Sequence, residues 1–112
     1  DESNFGLFSL GWIADYPDPQ NFLDIKLNSQ SANNETKYSN KKVDDLLNQA
    51  LNETDQTKRL KLYQDAEQMI VDDAPWIPLY HGKGAVLIKP NVKGYTIPPF
   101  VIENLRYVSI EK

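Results

Sequence analysis

Seven consecutive residues, Ile13-Ala14-Asp15-Tyr16-Pro17-Asp18-Pro19, hold two prolines and two aspartates. No helix and no regular ladder can run through them. Each proline locks its own φ, lacks an N–H and pushes the residue before it toward extended geometry. The segment reads as a rigid non-helical turn between two separate elements. Before it, Phe5-Gly6-Leu7-Phe8-Ser9-Leu10-Gly11-Trp12 is apolar and aromatic, the pattern of a strand with both faces buried or one that opens onto a binding surface. Gly6 and Gly11 weaken a plain strand and would suit close approach by another backbone. After the turn, Asp18-Pro19 reads as a helix start, with aspartate as cap and proline at the first helical position. Phe22, Leu23, Ile25 and Leu27 supply a short apolar turn or two.

Residues 28–40 are polar and read as a long surface loop. Two sequons, Asn34-Glu35-Thr36 and Asn52-Glu53-Thr54, would matter only in a eukaryotic secretory protein. Two helices follow. Val43, Leu46, Leu47, Ala50 and Leu51 share one face, with Ser39 or Asn40 as cap. A second helix starts near Thr54 or Asp55. Its stripe is Leu62, Tyr63, Ala66, Met69 and Ile70, widened by Leu60, and Pro75 stops it around Ala74. The short link predicts an antiparallel pair. Trp76 to Tyr80 and Ala85 to Ile88 flank His81-Gly82-Lys83-Gly84, a hairpin signal. Residues 90–100 read mostly as loop, and residues 105–110 alternate as a last strand. The fold class is therefore mixed α/β (α+β), with a helix pair and a β-hairpin, in one unit without internal repeat or linker.

The composition excludes several functions. Lys and Arg number 12 against 16 Asp and Glu, a net charge of −4. Nucleic-acid and anionic-membrane binders need a basic face, so both are disfavoured. No stretch approaches the roughly 20 apolar residues of a membrane span. No signal peptide opens the chain, as in a mature or truncated protein. Without cysteine there is no disulfide scaffold, thiol nucleophile or zinc-thiolate site. With 112 residues, the chain buries only roughly 60–68% of its unfolded surface.

Catalytic constellations are lacking too. The single histidine, His81, sits in a predicted turn with no elbow-like serine pattern, so no triad is expected. Asp44-Asp45 and Asp72-Asp73 are neighbours that do not face each other on a helix, and Asp15-x-x-Asp18 lacks the rest of a calcium loop. The expectation is no enzyme, no metal and no cofactor. The aromatic-acid turn is different. Gly11-Trp12-Ile13-Ala14-Asp15-Tyr16 places an indole, a phenol and a carboxylate within five residues. Such a carboxylate can receive an ammonium group, and flanking aromatics lower the local dielectric and add cation–π attraction. Equally, Asp15 can cap the turn backbone while Trp12 is core.

The same residues resemble a known family. Gly11 to Pro19, with Asn21-Phe22-Leu23, looks like the signature in the C-terminal half of extracellular solute-binding proteins of the oligopeptide/dipeptide class (family 5), which serve ABC importers. Tyr38-Ser39-Asn40, Asp44-xx-Leu47-xx-Ala50, Arg59-xxx-Tyr63-xx-Ala66-Glu67-xx-Ile70, Asp73-Ala74-Pro75-xx-Pro78-Leu79-Tyr80 and Val92-Lys93-Gly94 keep step with it nearly end to end.

The resemblance implies a two-lobed periplasmic-binding-protein-like clamp, of which residues 1–112 would be a single partial domain, a segment of the C-terminal lobe. A missing N-terminal part of the same chain would carry the export signal and any lipid anchor. The implied location is bacterial, either periplasmic or extracellular as a cell-surface lipoprotein. The implied partners are an oligopeptide ligand and the membrane permease of an ABC importer, with no nucleic acid. Asp15 would hold the peptide's α-amino group. Gly11, Trp12, Ile13 and Ala14 would offer main-chain groups to the extended peptide, with Trp12 and Tyr16 bordering it. Some peptide-binding members also carry an arginine just before the tryptophan for the peptide carboxylate. Here Ser9 and its neighbours carry no positive charge, and the first arginine is Arg59. Relatives with the same lobe bind nickel complexes, haem, sugars or opines, and a receptor for a signalling peptide would look alike. A lobe cut from its partner also leaves an apolar patch that can pair with a second copy, giving a dimer of the truncated chain.

Overall fold

Apolar spacing and capping chemistry place three helices in the middle of the chain. The computed structural model describes residues 6–80, 82–97 and 105–111. The helices are α1 (Gln20–Leu27), α2 (Lys41–Asn52) and α3 (Gln56–Asp73). Asn40 caps α2, its side chain accepting from Lys42 N at 3.0 Å, and Asp55 caps α3 through Lys58 N, also at 3.0 Å. Each side chain thereby satisfies an N–H that the helix cannot bond itself. Ala74 takes left-handed angles (φ 49°, ψ 47°) and donates back to Ile70 and Val71, and Pro75 follows. The path of α1 begins at Pro19, which already has helical angles (φ −55°, ψ −28°), and Asp18 Oδ1 accepts from Gln20 N at 2.9 Å.

The core lies between these helices. Val43, Leu47 and Ala50 of α2 meet Tyr63, Ala66 and Ile70 of α3, and Leu27 of α1 closes the end. A three-residue link folds α3 back along α2. The expected stripes are wider than the buried ones, since Leu51 and Leu60 at their margins are exposed. In α1 the expected apolar turn is also corrected. Phe22 points outward, and the residues buried with Leu27 are Asn21 and Lys26. Both polar side chains find partners that a water-facing position would not require.

Residues 28–40 are a loop, but an ordered one built on a buried asparagine. Asn34 Nδ2 donates to the carbonyls of Asn28 (3.2 Å) and Tyr38 (2.8 Å), while its Oδ1 accepts from Tyr38 N and Thr36 Oγ1. Ser29 ties the loop to α2 by donating from N and Oγ to the Asp44 carboxylate.

The β predictions fare differently. The strand expected over residues 5–12 does not form in the described part, residues 6–12, and Phe5 lies outside the described residues. Among the described residues, no main-chain hydrogen bond joins residues 6–14 to another segment. A strand is held by its neighbour's ladder and is marginal alone. The expected hairpin is likewise absent from residues 76–80 and 82–88, and His81 lies outside the described residues. Leu79, Tyr80 and Leu87 there are exposed, so among the described residues nothing packs over them. The last strand is shorter than expected. A 3₁₀ turn, Leu105–Tyr107, leads to β2 (Ser109–Ile110). β2 pairs antiparallel with β1 (Val92–Lys93), in a segment read as loop, with Val92 opposite Ile110 and Lys93 opposite Ser109. Gly94 makes this possible. Its φ is +73°, and a Cβ there would sit 2.1 Å from the Tyr107 carbonyl oxygen. The architecture is thus mixed, a helical core with a small two-stranded sheet. The radius of gyration, 18.6 Å, exceeds the roughly 13 Å of a closed domain of this size.

Candidate ligand-binding turn

The turn between residues 12 and 21 is assembled around one buried amide. Asn21, at the second position of α1, is 0% exposed. Its Oδ1 accepts from Trp12 Nε1 at 2.9 Å and from the Asp15 main-chain N at 3.1 Å. Its Nδ2 lies 3.4 Å from Asp15 Oδ2, toward which it donates. The indole and the carboxylate are therefore brought to the same side chain. Asp15 itself stays exposed.

Trp12 is held from a second side. Lys26 is 1% exposed, and its Nζ stands 4.5 Å from the Trp12 ring centroid. The same ammonium donates to Glu35 Oε1 at 2.7 Å. The alkyl stem packs while the charge keeps a counter-ion and a π face. The hydrogen bond from Lys26 holds the Glu35 carboxyl below its ordinary range, against the opposing effect of burial.

The proline turn is fastened to α3 as well. Arg59 donates from both terminal nitrogens to the Asp18 carboxylate, at 2.8 Å and 2.8 Å, the planar two-pronged geometry that favours arginine. The guanidinium also reaches Tyr63 Oη at 3.2 Å and lies 4.9 Å from that ring's centroid. The Arg59 hydrogen bonds hold the Asp18 carboxyl below its usual value and raise Arg59 further. Burial pushes the Tyr63 phenol up. Tyr16 Oη donates to Gln20 Oε1 across the turn's outer side. Farther off, Tyr38 and Asn40 donate to Asp73, at 2.6 and 2.7 Å, and tie the loop to the end of α3. Burial, then Asp73, pushes the Tyr38 phenol up to about 12.

The structure brings Trp12 and Asp15 together through Asn21. It leaves Gly11, Ile13 and Tyr16 exposed and Ala14 half-buried. Nothing described stands within 4 Å of a Cβ position on Gly6 or Gly11, so no described backbone makes the expected close approach. In the sequence Asn21 stands out only as part of the family signature, and Lys26 and Glu35 not at all. Arg59 had a signal, because it continues the stripe of Tyr63, Ala66 and Ile70 at helical spacing. Among the described residues, no three acidic, histidine or cysteine side chains gather as a metal site. No described helix is long and apolar enough to cross a membrane.

No protein-family model matches the chain. Curated relatives do. Heme-binding protein A of Haemophilus influenzae is 38% identical over 112 residues, 98% of this chain and 20% of that protein. The oligopeptide-binding protein OppA of Bacillus subtilis is 37% identical over 89 residues, 80% of this chain and 16% of that protein. The periplasmic oligopeptide-binding protein OppA of Salmonella typhimurium is 39% identical over 95 residues, 85% of this chain and 17% of that protein. All three are named as binding proteins and none as an enzyme. The chain spans about a fifth of the length of the curated relatives it matches. Over that span it belongs to the extracellular solute-binding proteins of the oligopeptide/dipeptide class.

Proposed function

We propose that this chain is one segment of the substrate-binding component of an ABC importer, and that the turn at Trp12 and Asp15 receives the amino terminus of an oligopeptide. The observation that carries this reading is the exposed residue Asp15 with its carboxylate set beside the Trp12 indole by a shared buried amide. A carboxylate so placed suits an ammonium group, by a charge-assisted hydrogen bond next to an aromatic face. Residues 11–14, whose main chain is bonded to no other described segment, would pair with the peptide backbone. Such pairing adds affinity without reading side chains. Nothing covalent is done. Closure of two lobes would bias a hinge equilibrium toward the form that docks on the permease.

Residues 1–112 would then be a partial domain of one lobe, in a bacterial protein that works in the periplasm or outside the cell. The exposed apolar side chains of Leu7, Leu10, Ile77, Leu79 and Leu87 are the surface that the rest of the protein would cover. In the isolated chain they would favour a dimer. The similarity to a haem-binding protein over nearly the whole chain supports a second reading, a non-peptide solute. The exposed Asp15 weighs against haem at this turn, because its charge repels propionates. Arg59, the first arginine of the chain, is already engaged by Asp18.

The test is a tryptophan-fluorescence titration of the whole protein with mixed peptides of three to five residues, free or N-acetylated. Saturable quenching by the free set alone is expected. Asp15→Asn is expected to weaken binding by about 1.5–3 kcal/mol, the worth of a hydrogen bond to a charged group. Unchanged affinity would remove Asp15 as anchor, and no response to either set would overturn the peptide reading in favour of another solute.

A further inference from the structure

We infer that Asn21 is the positioning residue of this site, a single buried amide that presets anchor and wall before any ligand arrives. The inference rests on the reading of Asp15 as the ammonium anchor. One Asn21 oxygen takes both the Trp12 indole N–H and the Asp15 main-chain N–H, at 2.9 and 3.1 Å. Its nitrogen faces the Asp15 carboxylate at 3.4 Å. An asparagine has one carbonyl and one NH₂ group, and both are used on the two residues of the site. Asn21 is wholly buried, so its rotamer is set by packing, and it belongs to α1, which the core holds through Leu27. It touches no open surface and would act only through Trp12 and Asp15. A side chain that fixes two others in advance removes ordering costs from binding.

The experiment compares the affinity of a free tetrapeptide with that of its N-acetylated form, by calorimetry on the whole protein. It is run on the unaltered protein, Asp15→Asn and Asn21→Ala. A merely structural loss lowers both affinities together and leaves their ratio unchanged. The expected result is a strong preference for the free peptide that Asp15→Asn abolishes and Asn21→Ala cuts about tenfold, the scale of an unsatisfied partner. A preference lost in Asp15→Asn but kept within twofold in Asn21→Ala overturns the positioning role and leaves the anchor standing. No preference in the unaltered protein overturns both. Should Asn21→Ala fail to fold, hydrogen exchange in the ligand-free, unaltered protein decides. Protection of the Trp12 indole and Asp15 amide, unchanged on binding peptide, supports the preset arrangement. Exchange at the rate of free groups overturns it.

Discussion

Breaking the Asp18–Arg59 pair should loosen the proline turn from α3, and the size of the effect follows from its geometry. The two hydrogen bonds are 2.8 Å each, and the side chains are 24% and 29% exposed. Two unit charges about 4 Å apart attract by roughly 4 kcal/mol at an effective dielectric of about 20. Partial desolvation and the ordering of a long arginine remove most of that. The net lies between an exposed pair and a buried charged hydrogen bond, about 1–2 kcal/mol. Arg59→Ala alone also loses the Tyr63 contacts, adding about 0.5–1 kcal/mol. The pair is therefore isolated by a double-mutant cycle with Asp18→Asn and Arg59→Ala, read by urea unfolding.

The cycle has a pH signature. Asp18 titrates lower in the folded chain than when unfolded, because Arg59 stabilises its charged form. Its contribution is complete above the ordinary carboxyl value of 3.8 and is lost as pH falls through the lower folded value. A coupling of about 1–2 kcal/mol at pH 7 should thus persist to about pH 4 and vanish in stronger acid. A coupling below about 0.3 kcal/mol at pH 7, within the scatter of additive sites, would refute the clamp. So would one unchanged after Asp18 is protonated.

Gly94→Ala should unpair β1 and β2, since it forces a side chain into left-handed backbone against the Tyr107 carbonyl. The expected cost is about 1–3 kcal/mol, seen as loss of protection at the amide of Glu111, which donates to the Asn91 carbonyl across the pair. Lys26→Met should change stability by less than about 1 kcal/mol, because an apolar stem of similar volume replaces a desolvated charge. Glu35→Ala should cost more than Lys26→Met, by leaving that ammonium buried without its carboxylate, and thermal unfolding of both variants tests the order.

The helical part of this chain is legible because its determinants are local. Val43, Leu47 and Ala50 recur at helical spacing, as do Tyr63, Ala66 and Ile70, and Asn40 and Asp55 stand where caps belong. The stop at Ala74 follows from Pro75. The strands expected over residues 5–12, 76–80 and 85–88 do not form in their described parts, for the opposite reason. Their apolar residues describe what a strand would bury, but a strand exists only with a partner, and none is among the described residues. Gly94 shows the same limit in reverse. Its need for positive φ comes from Tyr107, 13 residues later, and Val92–Lys93 pairs where only loop was visible. Asn21 and Lys26 were missed because polar residues are expected outside. Their burial is explained by Trp12, Asp15 and Glu35, which no periodicity connects to α1.

This division bears on the site itself. A helix closes its hydrogen bonds within its own segment, so α1, α2 and α3 keep their core although residues 6–14 have no described ladder partner. The carboxylate end of the turn shares that independence. Asn21 of α1 holds Asp15 and Trp12 from beneath, and Arg59 of α3 holds Asp18 from the side. Both clamps originate on helices that pack against each other, so the position of Asp15 is set by the helical core. Ahead of it the Trp12 side chain is held, but the main chain of residues 6–14 bonds to no other described segment. An anchor fixed to a rigid core, followed by backbone still open to pairing, is what strand addition requires of a host. In the proposed reading Asp15 would set where the added strand begins, and the open backbone would supply the ladder that this segment does not complete within the described residues.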